Sequence, residues 1–456
     1  MDRDCIRIAS GQGFWGDLPS APANQVRKGE IDYLVMDYLA EVTMSIMQKQ
    51  RMKNPDYGYA RDIIDVLDDI LPDIAANNIK VVTNAGGVNP KACKNEILKC
   101  IDKHQLSGLR VAVVDGDDIL DKLDDLLANG HKLANMETGK PITNVKEQLL
   151  SANVYFGCQP IVEALEKGAD IVITGRVTDT GLTLGPMAHE FGWSFDDYNK
   201  MAAGTIAGHI NECGGQASGG NFTDWQRVER FSDIGFPVIE AYPNGEFVVT
   251  KHPGTGGLVN EMTVKEQLLY EIGDPKEYIT PDCVADFSSI KLKQSGENRV
   301  RVYNIKGQPE TETYKISASY YDGYKLSTSL VYSWPDALEK AIKGGQILQQ
   351  RADDLNLAID EFNTEYVGVN GVSEQPITKD IKQQEFNEVE MRISVMGRDR
   401  DAINRFGKEI APLILTGPSG VTGFAGGRPK ASQIVAYWPA LLSKDAITPQ
   451  VSLYHV

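Results

Sequence analysis

The chain has 456 residues, 42% hydrophobic and 24% charged, the proportions of an ordinary globular protein with room for two or three domains. Its 63 acidic side chains against 46 Lys and Arg give a formal net charge of -17, which repels phosphodiester backbones and anionic lipid and argues against nucleic-acid or membrane partners. No apolar run reaches the roughly 18 residues of a membrane span, and the opening MDRDCIRIAS lacks the pattern of a secretory signal. Cys5, Cys93, Cys100, Cys158, Cys213 and Cys283 are scattered without a C-x-x-C pair, and read as thiols of a cytoplasmic protein rather than a disulfide frame.

From the start to about residue 185, short apolar strands alternate with helical stretches. The strands are predicted at Cys5–Ala9, Tyr33–Met36, Lys80–Thr83, Arg110–Val114 and Asp170–Thr174. Helices are predicted at Asp62–Ala76, Lys91–His104 and Gln159–Lys167, where apolar residues recur every three or four positions. This alternation predicts an α/β fold with a mainly parallel sheet and helices on both faces. The Gly-rich stretch 186–284 reads as connecting and site-forming structure within a domain spanning 1–284. Beyond it, Val300–Tyr303, Thr313–Tyr320 and Lys325–Tyr332 read as an antiparallel meander. A helix from Pro335 to about Leu357, strands near Tyr366–Val369 and Val389–Val395, and a helix at Arg400–Leu413 complete a C-terminal α+β domain over 285–456.

Several polar clusters fall at predicted strand ends, where open α/β sheets place their ligands. Gly11-Gln-Gly13-Phe-Trp-Gly16 follows the first strand and Asp37 ends the second, a formal dinucleotide fingerprint. Asp17, Pro19 and Pro22 follow at once, so no helix opens directly after Gly16; a Gly-rich turn lining a cleft is the competing reading. Asn84-Ala-Gly86-Gly87 ends the third strand, and Asp115-Gly-Asp117-Asp118 the fourth. Arg176, Thr178 and Asp179 end the fifth. In a parallel sheet all would share one edge, although Gly, Asn and Asp also suit plain turns.

His209, Glu212 and Cys213 stand at i, i+3 and i+4, one face of a helix, where an imidazole could activate a thiol or shuttle a proton with a carboxylate. A buried thiol and a hydrogen-bonded core histidine are the plainer alternative. Two glycine-dense loops, Lys251-His-Pro-Gly254-Thr-Gly256-Gly257 and Thr416-Gly-Pro-Ser419-Gly420-Val-Thr-Gly423-Phe-Ala-Gly426-Gly427-Arg428, lack the G-K-[ST] of a P-loop. Their amides, with Arg428 and Lys430 nearby, suit a carboxylate or phosphate.

The words GFWGD, IDYLVMDYLAE, VVTNAGGVNP, ITGRVTDTGLTLGPMAHEFGW, INECGGQASGG, HPGTGGLVNEMTVKEQLLYEIGDP, ITPDCVADFSSIKL and GPSGVTGFAGGRP extend over nearly the whole chain. In them the chain resembles the acyclic terpene utilisation family, the AtuA-like proteins. The resemblance implies a place in the catabolism of branched or terpenoid acids and acyl-CoA esters, with hydration or lyase steps. Many relatives carry an additional small C-terminal domain or a separate partner of that type, so the resemblance also leaves room for a small partner subunit that would supply such a domain here. Resemblance and residues together predict a lyase or hydratase acting on a small carboxylate or CoA ester. Arg176, Asp179, Asn84, Gly86, Gly87, Gly256, Gly257, Ser419, Gly420 and Arg428 would bind it, with His209, Glu212 and Cys213 catalytic. Asp17, Asp37 and Asp115 would hold a divalent cation such as Mg2+, if any. A homo-oligomer is expected. An NAD-dependent oxidoreductase and a non-catalytic subunit of an acyl-CoA degradation complex are the alternatives.

Overall fold

A computed structural model describes residues 4–373, 376–424 and 426–455. The chain divides into two compact units, one formed by Met1–Ser319 with Tyr437–Val456 and the other by Tyr320–Ala436.

The first unit is built from β1 (Ile6–Gln12), α1 (Ala21–Arg27), β2 (Tyr33–Met36), α2 (Glu41–Lys53), α3 (Asp62–Asn77), β3 (Lys80–Thr83), α4 (Pro90–Lys103), β4 (Arg110–Asp115), α5 (Leu123–Ala128), β5 (Leu149–Val154), α6 (Gln159–Glu166), β6 (Ile171–Thr174), α7 (Gly181–Phe191), α8 (Tyr198–Asn211), β7 (Pro237–Ala241), β8 (Phe247–Lys251) and α9 (Glu261–Leu269). A ten-stranded sheet runs in the order Lys291–Gly296, Arg299–Tyr303, β8, β7, β1, β2, β3, β6, β4, Gln450–His455. The parallel strands expected from sequence are there: β1, β2, β3, β6 and β4 pair side by side in parallel.

The expectation of a mainly parallel sheet needs correcting, because the flanks are antiparallel. β7 pairs antiparallel to β1, β8 to β7, and Arg299–Tyr303 to both β8 and Lys291–Gly296. On the far side, Gln450–His455 pairs antiparallel to β4. Of these, β7 and β8 lie where a connecting stretch is read from sequence. Glu240, Thr250 and Lys251 interrupt their apolar runs, yet every residue of β7 and β8 is buried. Their hairpin is closed by Asn244-Gly245, with Gly245 at φ +86 and its N–H donating to Tyr242 O at 3.0 Å.

The helix layers follow from the strand period of two. On β2, Leu34 and Met36 join a core with Ile63, Leu67, Ile70 and Ile74 of α3 and Cys93, Ile97 and Ile101 of α4. Tyr33, one residue along, points to the opposite face and donates its hydroxyl to Glu190 of α7 at 2.6 Å. Each fully buried Ile or Leu contributes about 1.5–3 kcal/mol, so α3 alone is firmly held. Asn89 starts α4 by accepting the Ala92 N–H at 3.3 Å, with Pro90 in the first turn where no N–H is needed. Among the described residues no helix is long and apolar enough to cross a membrane.

In the second unit, residues 324–333 of the strand Thr313–Ser333 pair antiparallel with Glu388–Gly397, which pairs in turn with Glu361–Val367. The helices Ala337–Asp354 and Arg400–Ile410 bury Leu338, Leu348, Ile403 and Phe406 against this sheet. The meander is also corrected. Thr313–Tyr320 and Lys325–Tyr332 are one continuous strand, with Gly323 at φ +95 inside it, and Val300–Tyr303 belongs to the ten-stranded sheet.

Candidate functional site

The five parallel strands finish at one edge, so the residues just beyond them meet there. Asn84, past β3, donates through Nδ2 to Asp37 Oδ1 at 2.6 Å and accepts the Tyr38 N–H at 2.7 Å, locking together the ends of β2 and β3. The Leu39 N–H adds a bond to Asp37 Oδ1 at 3.1 Å. Past β4, Asp117 Oδ2 accepts the Arg176 N–H at 2.9 Å and the Asn153 amide at 2.8 Å, tying the ends of β4, β5 and β6. A Cβ on Gly175 would fall 2.2 Å from Asp117 Oδ1, so only glycine lets that carboxylate come so near.

Arg176 is 1% exposed, with its guanidinium 4.0 Å over the Tyr155 ring. Both ends of its fork go to Asp179, and Nη1 also reaches Leu39 O at 3.4 Å. Burial opposes the charge, but Asp179, Tyr155 and Asp37 together more than offset it, so Arg176 stays a cation whose counter-ion is already in place. Burial, then the charge of Asp179, push the Asp37 carboxyl well above the usual carboxylate range, against hydrogen bonding by Asn84 and the charge of Arg176.

The second half of the site comes from the end of α8. Gly204 and Gly208 let α8 press on α7: a Cβ on Gly208 would sit 2.4 Å from Thr180 O. His209, 1% exposed, places Nε2 3.0 Å from the carbonyl of Gln267 on α9 and Nδ1 3.0 Å from Glu212 Oε1. A carbonyl only accepts, so Nε2 carries a proton. The Nδ1–Oε1 contact then shares one further proton, held by imidazole or by carboxyl. The Tyr278 and Phe287 rings stand edge-on, 5.6 and 5.3 Å from the imidazole. Burial raises the Glu212 carboxyl and the His209 bond partly lowers it again. Glu212 Oε2 is buried without a partner. Cys213 has its thiol pushed up to about 12 by burial and the Glu212 charge, so it is a thiol and not a thiolate.

A cleft of about 590 Å3 opens beside this pair, lined by Gly13, Asp17 and Cys213 and by the rings of Phe14, Phe231, Phe236 and Tyr270. At its mouth Phe14 is 62% exposed, and a contiguous hollow of about 270 Å3 reaches Leu269, 73% exposed. The Gly11–Gly16 turn forms one wall. A Cβ on Gly13 would lie 2.8 Å from the backbone of Cys213, so the turn and the end of α8 touch. Asp17 accepts the Gly13 and Leu18 N–H groups at 2.9 and 2.7 Å, taking an amide that a pyrophosphate would need, and α1 opens only at Ala21.

Other predicted site residues serve different ends. Gly86 and Gly87 are buried, and Cβ atoms there would lie 2.5 Å from Thr174 O and 2.3 Å from Met47 Sδ. Gly256 and Gly257 donate their N–H groups to Asp233 O and Glu229 O, leaving neither amide for an anion. Asp115 is ion-paired with Lys91 at 2.7 Å. Asp17, Asp37 and Asp115 therefore do not converge on a cation, and among the described residues no three His, Cys, Asp or Glu side chains are arranged to hold one. Ser419, Gly420 and Arg428 are exposed residues of the second unit, where Gly420 O accepts the Ser333 N–H at 3.0 Å. Sequence reasoning missed Gln267, Tyr270, Tyr278 and Phe287. Their signals stand in VKEQLLY and in the aromatics flanking ITPDC, segments that carry no motif chemistry of their own.

Fold and site define a mixed α/β protein whose parallel-strand edge gathers buried carboxyls beside an aromatic cleft, with a histidine holding one of them. More particularly, the chain belongs to the acyclic terpene utilisation family: that family's model, described as acyclic terpene utilisation family protein AtuA, matches residues 6–453. The family is implicated in terpene utilisation, which is compatible with a catabolic role. No curated protein and no solved structure matches the chain.

Proposed function

We propose that this chain is a catabolic lyase or hydratase that takes a proton from the carbon next to the carbonyl of a branched carboxylic acid or its CoA ester. The observation that carries the reading is Glu212, a raised carboxyl with one oxygen held by His209 and the other buried without a partner. A base so held benefits from a raised pKa and needs a lone pair that no protein donor occupies, and Glu212 has both features. The proton moves from substrate carbon to Oε2, and its bonding electrons move to the carbonyl oxygen as an enolate. A hydroxyl on the next carbon then leaves as water, taking a proton, or water adds in the reverse direction. Burial and the Asp179 charge favour the protonated form of the Asp37 carboxyl, which in that form would donate to the developing oxyanion. Arg176 acts through Asp179 and does not grip substrate. The aromatic cleft suits an apolar branched chain, as does membership of a terpene-utilisation family.

Glu212→Gln tests this. In D2O the wild type is expected to exchange deuterium into the carbon beside the carbonyl of a branched ten-carbon 3-hydroxyacyl-CoA or its free acid. The variant should do so at least about 100-fold more slowly with an unchanged melting temperature. Equal exchange by the variant removes Glu212 as the base, and a wild type inert toward both compounds overturns the reaction class.

A further inference from the structure

The cavity of about 660 Å3 lined by Arg7, Glu240, Lys251, His252, Thr255 and Arg299 shares no lining residue with the cleft beside Glu212. It lies over the antiparallel part of the large sheet, where Arg7, Glu240 and Val248 stand in register on β1, β7 and β8. Five of its polar side chains, Glu240, Thr250, Lys251, His252 and Thr255, are more than nine-tenths buried.

Among them Lys251 is the anomaly. Its ammonium donates to Thr255 O at 2.8 Å and to Thr255 Oγ1 at 3.4 Å. The hydroxyl's own hydrogen goes to His252 O at 2.6 Å, so Oγ1 only accepts from Lys251. One N–H of the ammonium is left over. Among the described residues no carboxylate pairs with Lys251, although it is 8% exposed. A buried cation without a counter-ion is costly unless something supplies the missing charge. Burial, then the charge of Arg230, lower its pKa, against the more distant carboxylates of Glu297, Asp233 and Glu229, none of which pairs with it directly.

The lining carries three cations, Arg7, Lys251 and Arg299, and four carboxylates, of which only Glu240 is buried. Glu240, 6% exposed, is shared by Arg299, at 3.1 Å from its Nη1, and Arg7, at 3.5 Å from its Nε. The buried carboxylate is thus taken up by the two arginines and not by Lys251; on the rim Glu30 meets Arg7 at 3.6 Å, and Glu229 and Glu297 are exposed. His252 donates or accepts no charge here, since its Nε2 is fixed on Gln25 O at 2.9 Å and burial lowers its pKa.

We propose that this cavity is a second ligand site, in which Lys251, with Arg7 and Arg299, binds an oxyanion, a phosphate or carboxylate group of a small molecule. The glycines of the adjoining loop shape the wall and donate nothing to the ligand. The site stands independently of the reaction assigned to Glu212.

Thermal unfolding of the full chain, titrated with inorganic phosphate or with malonate against sodium chloride at matched ionic strength, tests the proposal. A saturable rise in melting temperature above chloride is expected, and the anion giving the tighter midpoint tells phosphate from carboxylate. Lys251→Met should weaken that midpoint at least about tenfold, the size of a lost charge-assisted hydrogen bond. Should Lys251→Met fail to fold, Arg299→Gln should weaken it several-fold. Absence of any effect beyond chloride overturns the site, and so does an undiminished midpoint in whichever variant folds.

Discussion

Removing the His209 ring would leave Glu212 with its burial penalty and without the hydrogen bond that partly offsets it. The Glu212 carboxyl should then rise further. If Glu212 must be ionised to act, the acidic limb of the pH–rate profile in His209→Leu moves to higher pH, with kcat falling more than KM changes. An unmoved limb would mean that His209 is only core packing. His209, Glu212 and Cys213 are legible from sequence because their spacing puts them at one helix end. The proton arrangement is not, because it depends on Gln267, 58 residues away, and on rings that flank no motif. Cys213 shows the complementary error. A thiol next to a histidine in sequence looks activated, whereas the nearby Glu212 charge and burial keep it protonated.

Between elements, closeness is set by missing side chains. The α7–α8 contact depends on Gly204 and Gly208, whose added Cβ atoms would meet Leu184 Cδ1 at 2.3 Å and Thr180 O at 2.4 Å. The first neighbour is a flexible side-chain tip; the second is backbone and cannot turn aside. Gly208→Ala should therefore destabilise by about 1–3 kcal/mol in denaturant unfolding, and more than Gly204→Ala. Equal and small effects would show that the helices part easily. The parallel strands were readable because they are short, apolar and β-branched, as in the YLVM of β2 and the IVIT of β6. β7 and β8 were not, since Glu240 and Lys251 are buried by ion pairing and cavity formation rather than by apolarity. The Asn244-Gly245 turn between them was the available signal.

For the molecule as a whole, buried acids make stability depend on pH in an uncommon sense. Asp117 is pushed up to about 7, mainly by burial. Between about pH 4 and 7 the unfolded chain has released this proton and the folded chain has kept it. The unfolded state binds fewer protons, so this carboxyl's contribution falls as pH rises through that window and is level above it. Asp117→Asn keeps an acceptor for the Arg176 N–H and removes the titration. Its stability relative to wild type should climb between pH 4 and 7 by a few kcal/mol. A constant difference across those pH values would show that Asp117 is ionised throughout. At this scale the α/β class and the shared strand edge were legible, because alternation and strand-end polarity are local signals. The mixed pairing was not, since which strand joins which flank, as Gln450–His455 joins β4, is fixed by distant packing.

Gln267 and His209 clasp one another twice: the ring reaches the amide's main-chain carbonyl, and the Gln267 side chain returns to the His209 carbonyl at 2.9 Å. Tyr270, at the end of the same short helix, is part of the cleft lip. Whatever leans on that tyrosine thus pulls, through a rigid turn and two bonds, on the imidazole that grips the glutamate. Rim and interior share one path of bonds, and a guest too small to touch the lip would leave that path untouched.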